Sequence, residues 1–148
     1  MKKQLPAVIF GCIILSIVLS GCQEQQATTS NQFEGVSLKS DVVELVEASL
    51  DFQVHYDYDE LTDEAIEVRN AAEVKYRFHN IAGKDITVKV TVEFYGAYDN
   101  LLYTGGPKTI FLFKDYTDKY ISPATNIILY KGSKVTEIDH AIIIAEEI

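Results

Sequence analysis

The sequence predicts an all-β fold, an antiparallel β-sandwich of about seven strands. Three observations predict it. From Val36 onward, apolar and polar residues alternate with a period of two. Turn-forming residues recur at near-regular spacing between the alternating runs. No apolar helical stripe develops, even in the one weakly helical window, residues 62–72, where Ile66 falls four residues from the polar Asn70.

Each element follows from its local pattern. Over residues 44–56 the even positions from Val46 carry Ala48, Leu50, Phe52, Val54 and Tyr56, and the odd positions from Glu47 to His55 are polar, so one face of a strand is dry. Residues 62–72 read as a loop or short edge strand. Val74, Tyr76 and Phe78 alternate with Glu73, Lys75, Arg77 and His79, and Ile86, Val88, Val90, Val92 and Phe94 alternate with Thr87, Lys89, Thr91, Glu93 and Tyr95. The six residues between them include Gly83, which is free to take a positive φ, so residues 73–95 are expected to form a β-hairpin. Gly96 to Asn100 turns the chain. Leu101 to Tyr103 starts a strand, Thr104-Gly105-Gly106-Pro107 interrupts it as a bulge, and Lys108 to Phe113 resumes it. Lys114 to Tyr120 and Ser122 to Thr125 read as loops. Asn126 to Tyr130 reads as a strand, Lys131 to Lys134 as a turn, and Val135 to Ala145 as the closing strand. Pro107 and Pro123 both fall in expected loops.

The N-terminal part is different. Met1-Lys2-Lys3 is basic, Leu5 to Leu19 carries no charge, and Leu19-Ser20-Gly21-Cys22 follows at once. Fifteen residues make roughly 22 Å of helix, short of a bilayer core of about 30 Å. This segment resembles a prokaryotic lipoprotein signal peptide with its lipobox. The resemblance implies cleavage after Gly21 and diacylation of the Cys22 sulfur, leaving the protein lipid-anchored on the extracytoplasmic face of the cell membrane. Gln23 to Gly35 is polar apart from Phe33 and reads, with Cys22, as a flexible tether with an r.m.s. reach of roughly 20 Å. The expected organisation is a signal peptide over 1–21, a tether over 22–35 and a sandwich over 36–148.

Without residues 1–21 the chain is one domain long, and Cys22 is its single cysteine, so no intramolecular disulfide forms. Loss of Lys2 and Lys3 takes the formal net charge from −9 to −11. Such acidity argues against nucleic acid and anionic lipid headgroups as partners. It suits solubility, cationic partners or divalent ions.

Phe78-His79-Asn80, Gly83-Lys84-Asp85, the long strand Ile86 to Tyr95, the turn at Tyr98-Asp99-Asn100 and Ser122-Pro123-Ala124 follow one another in an order that resembles the FxLYD family of small lipoprotein domains. The resemblance spans residues 73–146. The turn after Phe94-Tyr95 is one or two residues longer than is usual there, and Ala124 stands where Gly is typical. The resemblance implies an immunoglobulin-like sandwich at the cell envelope and supplies no catalytic residue.

Five carboxylates in eight residues, Asp57, Asp59, Glu60, Asp63 and Glu64, are the strongest metal candidates, because clustered oxygens suit Ca²⁺. Thr62 and Val68 stand where a calcium loop starting at Asp57 needs Gly and a bidentate acid, so a solvated acidic loop is the plainer reading. His55, His79 and His140 lack zinc spacing, and His140 is expected to be a hydrogen-bonded core histidine. No nucleophile elbow occurs, and Cys22 is reserved for lipid, so no enzyme and no cofactor are expected.

Ile110 to Phe113 and Ala141 to Ala145 are apolar on both parities, although one face of an antiparallel sandwich meets water. Phe111 and Ile143 are therefore expected to mark a partner or dimer surface, with Tyr98, Tyr116 and Tyr120 adding to it. The expected function is a noncatalytic interaction or accessory module bound to an envelope protein. The alternatives are a small-ligand or Ca²⁺-binding lipoprotein and a purely structural envelope component.

Overall fold

A computed structural model describes residues 29–59, 61–62 and 64–148. The signal peptide expected over 1–21, Cys22, Glu60 and Asp63 lie outside the described residues, as do the side chains of residues 29–32 and Asp59. The rest is an all-β sandwich. Its strands are β1 (Thr29–Phe33), β2 (Val36–Lys39), β3 (Val43–Asp59), β4 (Glu64–Asn80), β5 (Ile86–Gly96), β6 (Leu101–Leu112), β7 (Ile127–Tyr130) and β8 (Ile138–Glu147). Among the described residues the one helical element is a single 3-10 turn, Val135–Glu137. That turn occupies the start of the segment expected to be the last strand.

One layer has the strand order β1-β2-β8-β5-β6 and the other β3-β4-β7. All pairs are antiparallel except β2 with β8. The core is the alternate residues of the facing layers. Ala72, Val74, Tyr76 and Phe78 from β4 meet Ile86, Val88, Val90, Val92 and Phe94 from β5, with Ala141, Ile143 and Ala145 from β8 beside them. Tyr103 stacks on Tyr130 at 4.4 Å between ring centres, and both lie about 6 Å from Phe94, closing the edge where β6 meets β7.

Several expectations need correction. Residues 73–95 are not a hairpin, because β4 and β5 belong to opposite layers. The chain crosses between layers at Asn80. Its buried amide donates to the carbonyls of Lys84 (2.8 Å), Phe113 (2.8 Å) and Leu112 (3.3 Å), and its Oδ1 accepts from the Ala82 N–H at 2.9 Å. Gly83, at φ 71°, permits the turn. Residues 62–72, read as a loop or short edge strand, are a strand from Glu64 onward, but a long one, the first half of β4. Residues 29–33, expected within the tether, pair with β2 through a two-residue Glu34-Gly35 turn, and Phe33 packs against the core. Pro107 lies within β6, at a bulge on the outer strand of its sheet where no ladder hydrogen bond is needed.

Candidate functional site

The features with chemistry lie at opposite ends of the strands. At one end β3 and β4 outrun the sandwich. Their pairing continues from Val54 opposite Arg69 to Asp59 opposite Glu64, whereas β7 covers β4 only over residues 72–75. The result is a two-stranded arm about 20 Å long with no second sheet across from it among the described residues. Val54, Tyr56 and Tyr58 continue the core-side face of β3, and a bulge at Asn70 shifts β4 by one residue so that Arg69, Glu67 and Ala65 share that face. Tyr56 and Tyr58, at 68% and 63%, are exposed. The other face carries His55, Asp57 and Ile66. The base of the arm is held by the Arg69 guanidinium, 4.0 Å above the Phe52 ring.

The acidic candidates map onto this arm. Asp57 sits on an exposed strand position with its carboxylate 3.5 Å from His55 Nε2, and Glu64 opens β4 opposite Asp59. Of the loop expected at Asp57 to Glu64, Asp57, Tyr58, Asp59 and Glu64 are therefore ladder residues. Among the described residues no group of three or more His, Cys, Asp or Glu side chains converges as metal ligands do.

At the other end, marked by Asn80, Ile86 and Leu112, the free edge of β6 meets the segment 114–126. This segment is built onto β4. The Asn80 N–H donates to the Tyr116 carbonyl at 2.9 Å, the Asp118 N–H to the Phe78 carbonyl at 2.8 Å, and the Tyr76 N–H to the Asn126 carbonyl at 3.0 Å. Asp118 Oδ2 accepts from both the Phe78 N–H and Asn126 Nδ2, and Arg77 donates twice to the Asp118 carbonyl. The Tyr76 hydroxyl donates to the Thr125 carbonyl at 2.6 Å, and burial pushes its phenol far above the usual pKa. So fastened, the segment leaves a cleft of about 330 Å³ lined by Phe111, Phe113, Tyr116, Lys119 and Tyr120. Phe111 and Phe113 are 54% and 61% exposed and meet edge to face at 5.0 Å. Lys108, whose ammonium desolvation makes less basic than usual, donates to the Pro123 carbonyl nearby.

A third place lies beside β8. His140 stacks flat on Tyr95 with ring centres 5.3 Å apart. Its Nδ1 is 3.1 Å from Asp139 and its Nε2 3.4 Å from Asp99. It is thus a half-exposed outer-face residue and not the core histidine expected, because a register shift at Tyr95/Gly96 turns Ile138 inward and His140 outward. Ser37 lines the same 240 Å³ cleft, but both imidazole nitrogens already face carboxylates.

Of the expected surface residues, Phe111, Tyr116 and Tyr120 come together. Tyr98 is exposed but lies in the turn after β5, toward the arm end. Ile143 is fully buried and is removed from the surface, since Ala141, Ile143 and Ala145 are the inward set of β8 while Ile142 and Ile144 lie half-buried outside. Sequence reasoning missed Phe113, whose signal was the double-parity run it ends, and Tyr56, which was placed on a dry face that in fact continues past the sandwich. No protein-family model, no curated protein and no solved structure matches this chain.

Proposed function

We propose that this is a lipid-anchored protein of a prokaryotic cell envelope, held by Cys22 on the extracytoplasmic face, whose sandwich is a noncatalytic interaction module. The observation that carries the reading is the arm. Val54, Tyr56, Tyr58 and Ile66 lie at exposed positions beyond the sandwich, where they contribute nothing to the core. Tyr side chains bring large contact area at low entropic cost, and the surrounding acids select a cationic partner surface. The lipobox resemblance supports the anchor, and the FxLYD resemblance supports an envelope domain without catalytic residues. The pairing of both His140 nitrogens with carboxylates, which leaves Ser37 without a base, also favours a noncatalytic role.

The test uses the full chain in its native membrane with a photoreactive side chain in place of Tyr58. A covalent adduct to one protein of distinct mass is expected, together with release of the protein from the membrane in Cys22→Ser. A Cys22→Ser product that still partitions into detergent with unchanged mass would end the anchoring reading. An arm that gives no adduct under illumination would end the interaction reading.

A further inference from the structure

We infer that the aromatic end of the sandwich, built on Phe111, Phe113, Tyr116 and Tyr120, docks onto the lipid surface to which the chain is anchored, so that the arm points away from the membrane. The inference rests on the anchoring proposed above and goes beyond it by assigning the face that meets lipid.

The length and direction of the chain leading to the body come first. Seven residue steps separate Cys22 from Thr29, a span of at most about 25 Å when fully extended. The body is therefore confined to the membrane surface. β1 enters its sheet travelling toward the arm end, because it is antiparallel to β2, and β2 is parallel to β8. Thr29 lies level with Lys39, Ile144 and Thr91, midway along β5. Phe111, opposite Thr87, is four residues from that level toward the Asn80 end, about 13 Å. Gly105, paired with Val92, packs on Ile128, paired with Val74, so the level of Thr91 falls near Lys75 on β4, and the arm tip at Glu64 lies about 37 Å away in the other direction, beyond the reach of the extended tether.

The chemistry of the aromatic end fits an interfacial contact. Phe111 and Phe113 are the largest adjacent pair of exposed apolar side chains among the described residues, and Ile81 is exposed at the same end. Tyr116 and Tyr120 flank them, and rings with a polar tip suit the headgroup level. Lys114 and Lys119 are balanced by Asp115 and Asp118 in the same segment, so net charge is not the attraction. Docking here is aromatic insertion, consistent with a chain whose acidity disfavours anionic headgroups. The hydrogen bonds that fix 114–126 to β4 hold the rings in place before any contact is made.

The chain has no tryptophan, so Phe113→Trp introduces a single indole at an exposed position. The lipidated full-length product is reconstituted into phosphatidylcholine vesicles whose acyl chains carry bromine. The indole of Phe113→Trp is expected to be blue-shifted and quenched, and the indole of Tyr58→Trp to remain solvated and unquenched. Adding Phe111→Ser to Phe113→Trp is expected to weaken the quenching. Protein that floats with the vesicles yet shows an unquenched indole at 113 overturns the docking while leaving the anchor intact. Equal quenching at 58 overturns the orientation. Protein that does not float removes the anchor itself, and the inference with it. Lipid-shielded fluorescence at 113 together with a protein crosslink there assigns the face to a protein and overturns the inference.

Discussion

Asn80 and Tyr76 show how single polar side chains fix this fold. Both are buried on the core side of β4, and both hold the backbone of a segment that is not a strand. The Tyr76 hydroxyl bonds the Thr125 carbonyl at 2.6 Å inside an apolar layer. Burial, with Asp118 nearby, keeps its phenol protonated far above the usual range. The folded pKa is raised, so the stability it contributes is fully present below the unfolded value near 10 and is lost as pH rises beyond it. The slope approaches about 1.4 kcal/mol per pH unit for this one group. Tyr95, raised by its hydrogen bond to Glu93, acts in the same direction. Tyr76→Phe is expected to cost about 1 kcal/mol at neutral pH and to flatten the alkaline limb of stability against pH, measured by urea unfolding between pH 8 and pH 11. An unchanged alkaline limb would mean that the phenol titrates alike in both states. None of this was legible in the sequence. Alternation placed Tyr76 inside, but the partner of its hydroxyl lies 49 residues away in a segment read only as loop. His140 failed the same way, since a one-residue register shift decides which way it faces.

At the scale of elements, alternation was reliable wherever a strand stays over the core and misleading wherever it bulges or leaves it. β5 alternates without interruption and was legible in full. In β3, a bulge between Leu45 and Glu47 turns Val46 out to solvent, and Ala48, Leu50 and Phe52 resume the inward set. Beyond Gln53 the same parity continues with nothing opposite it among the described residues, so Val54 and Tyr56 look like core residues in the sequence and are exposed. An apolar pattern reports a face, and the partner of that face is set by where the other sheet ends. The arm should therefore be dispensable to the fold. Replacing residues 55–68 with Asn-Gly joins Val54 to Arg69 through a two-residue turn and keeps the contact of Arg69 with Phe52. This variant is expected to unfold within about 0.5 kcal/mol of the parent, whereas Phe78→Ala costs about 3–5 kcal/mol. Thermal and urea denaturation compare the two. A large loss in the truncated chain would place the arm among the stabilising elements and weaken its reading as a contact surface. β6 carries the opposite lesson, since the glycines that break its pattern were read correctly as a bulge. A Cβ on Gly105 would lie 2.6 Å from Ile128, so the bulge is a place where only glycine lets the two layers come this close.

For the whole molecule, two packed layers follow from the sequence, but the assignment of strands to layers does not. A short Gly-containing loop between two alternating strands serves equally well as a hairpin or as a crossing between sheets. The difference here lies in the four hydrogen bonds of Asn80, two of which brace the crossing loop at Ala82 and Lys84 and two of which tie it to the end of β6 at Leu112 and Phe113. One consequence is that β4 has two environments along a single unbroken ladder. From Ala72 to Asn80 it is the central strand of its layer, bonded on one side to β3 and on the other to β7 and the fastened segment. From Glu64 to Arg69 it is half of an isolated ribbon, a structure that is marginal in water by itself. Local opening should therefore require little free energy in the arm and nearly the global unfolding energy in the body. Native-state hydrogen exchange on the full chain is expected to show arm amides exchanging orders of magnitude faster than those of residues 74–78 on the same strand. Uniform protection along β4 would mean that the arm is held by contacts within the chain, and its bare faces would then have no claim on a partner. With the expected gradient, a bound partner should slow exchange at residues 54–58 and 65–69 first, since that is where the free protein has most order left to gain.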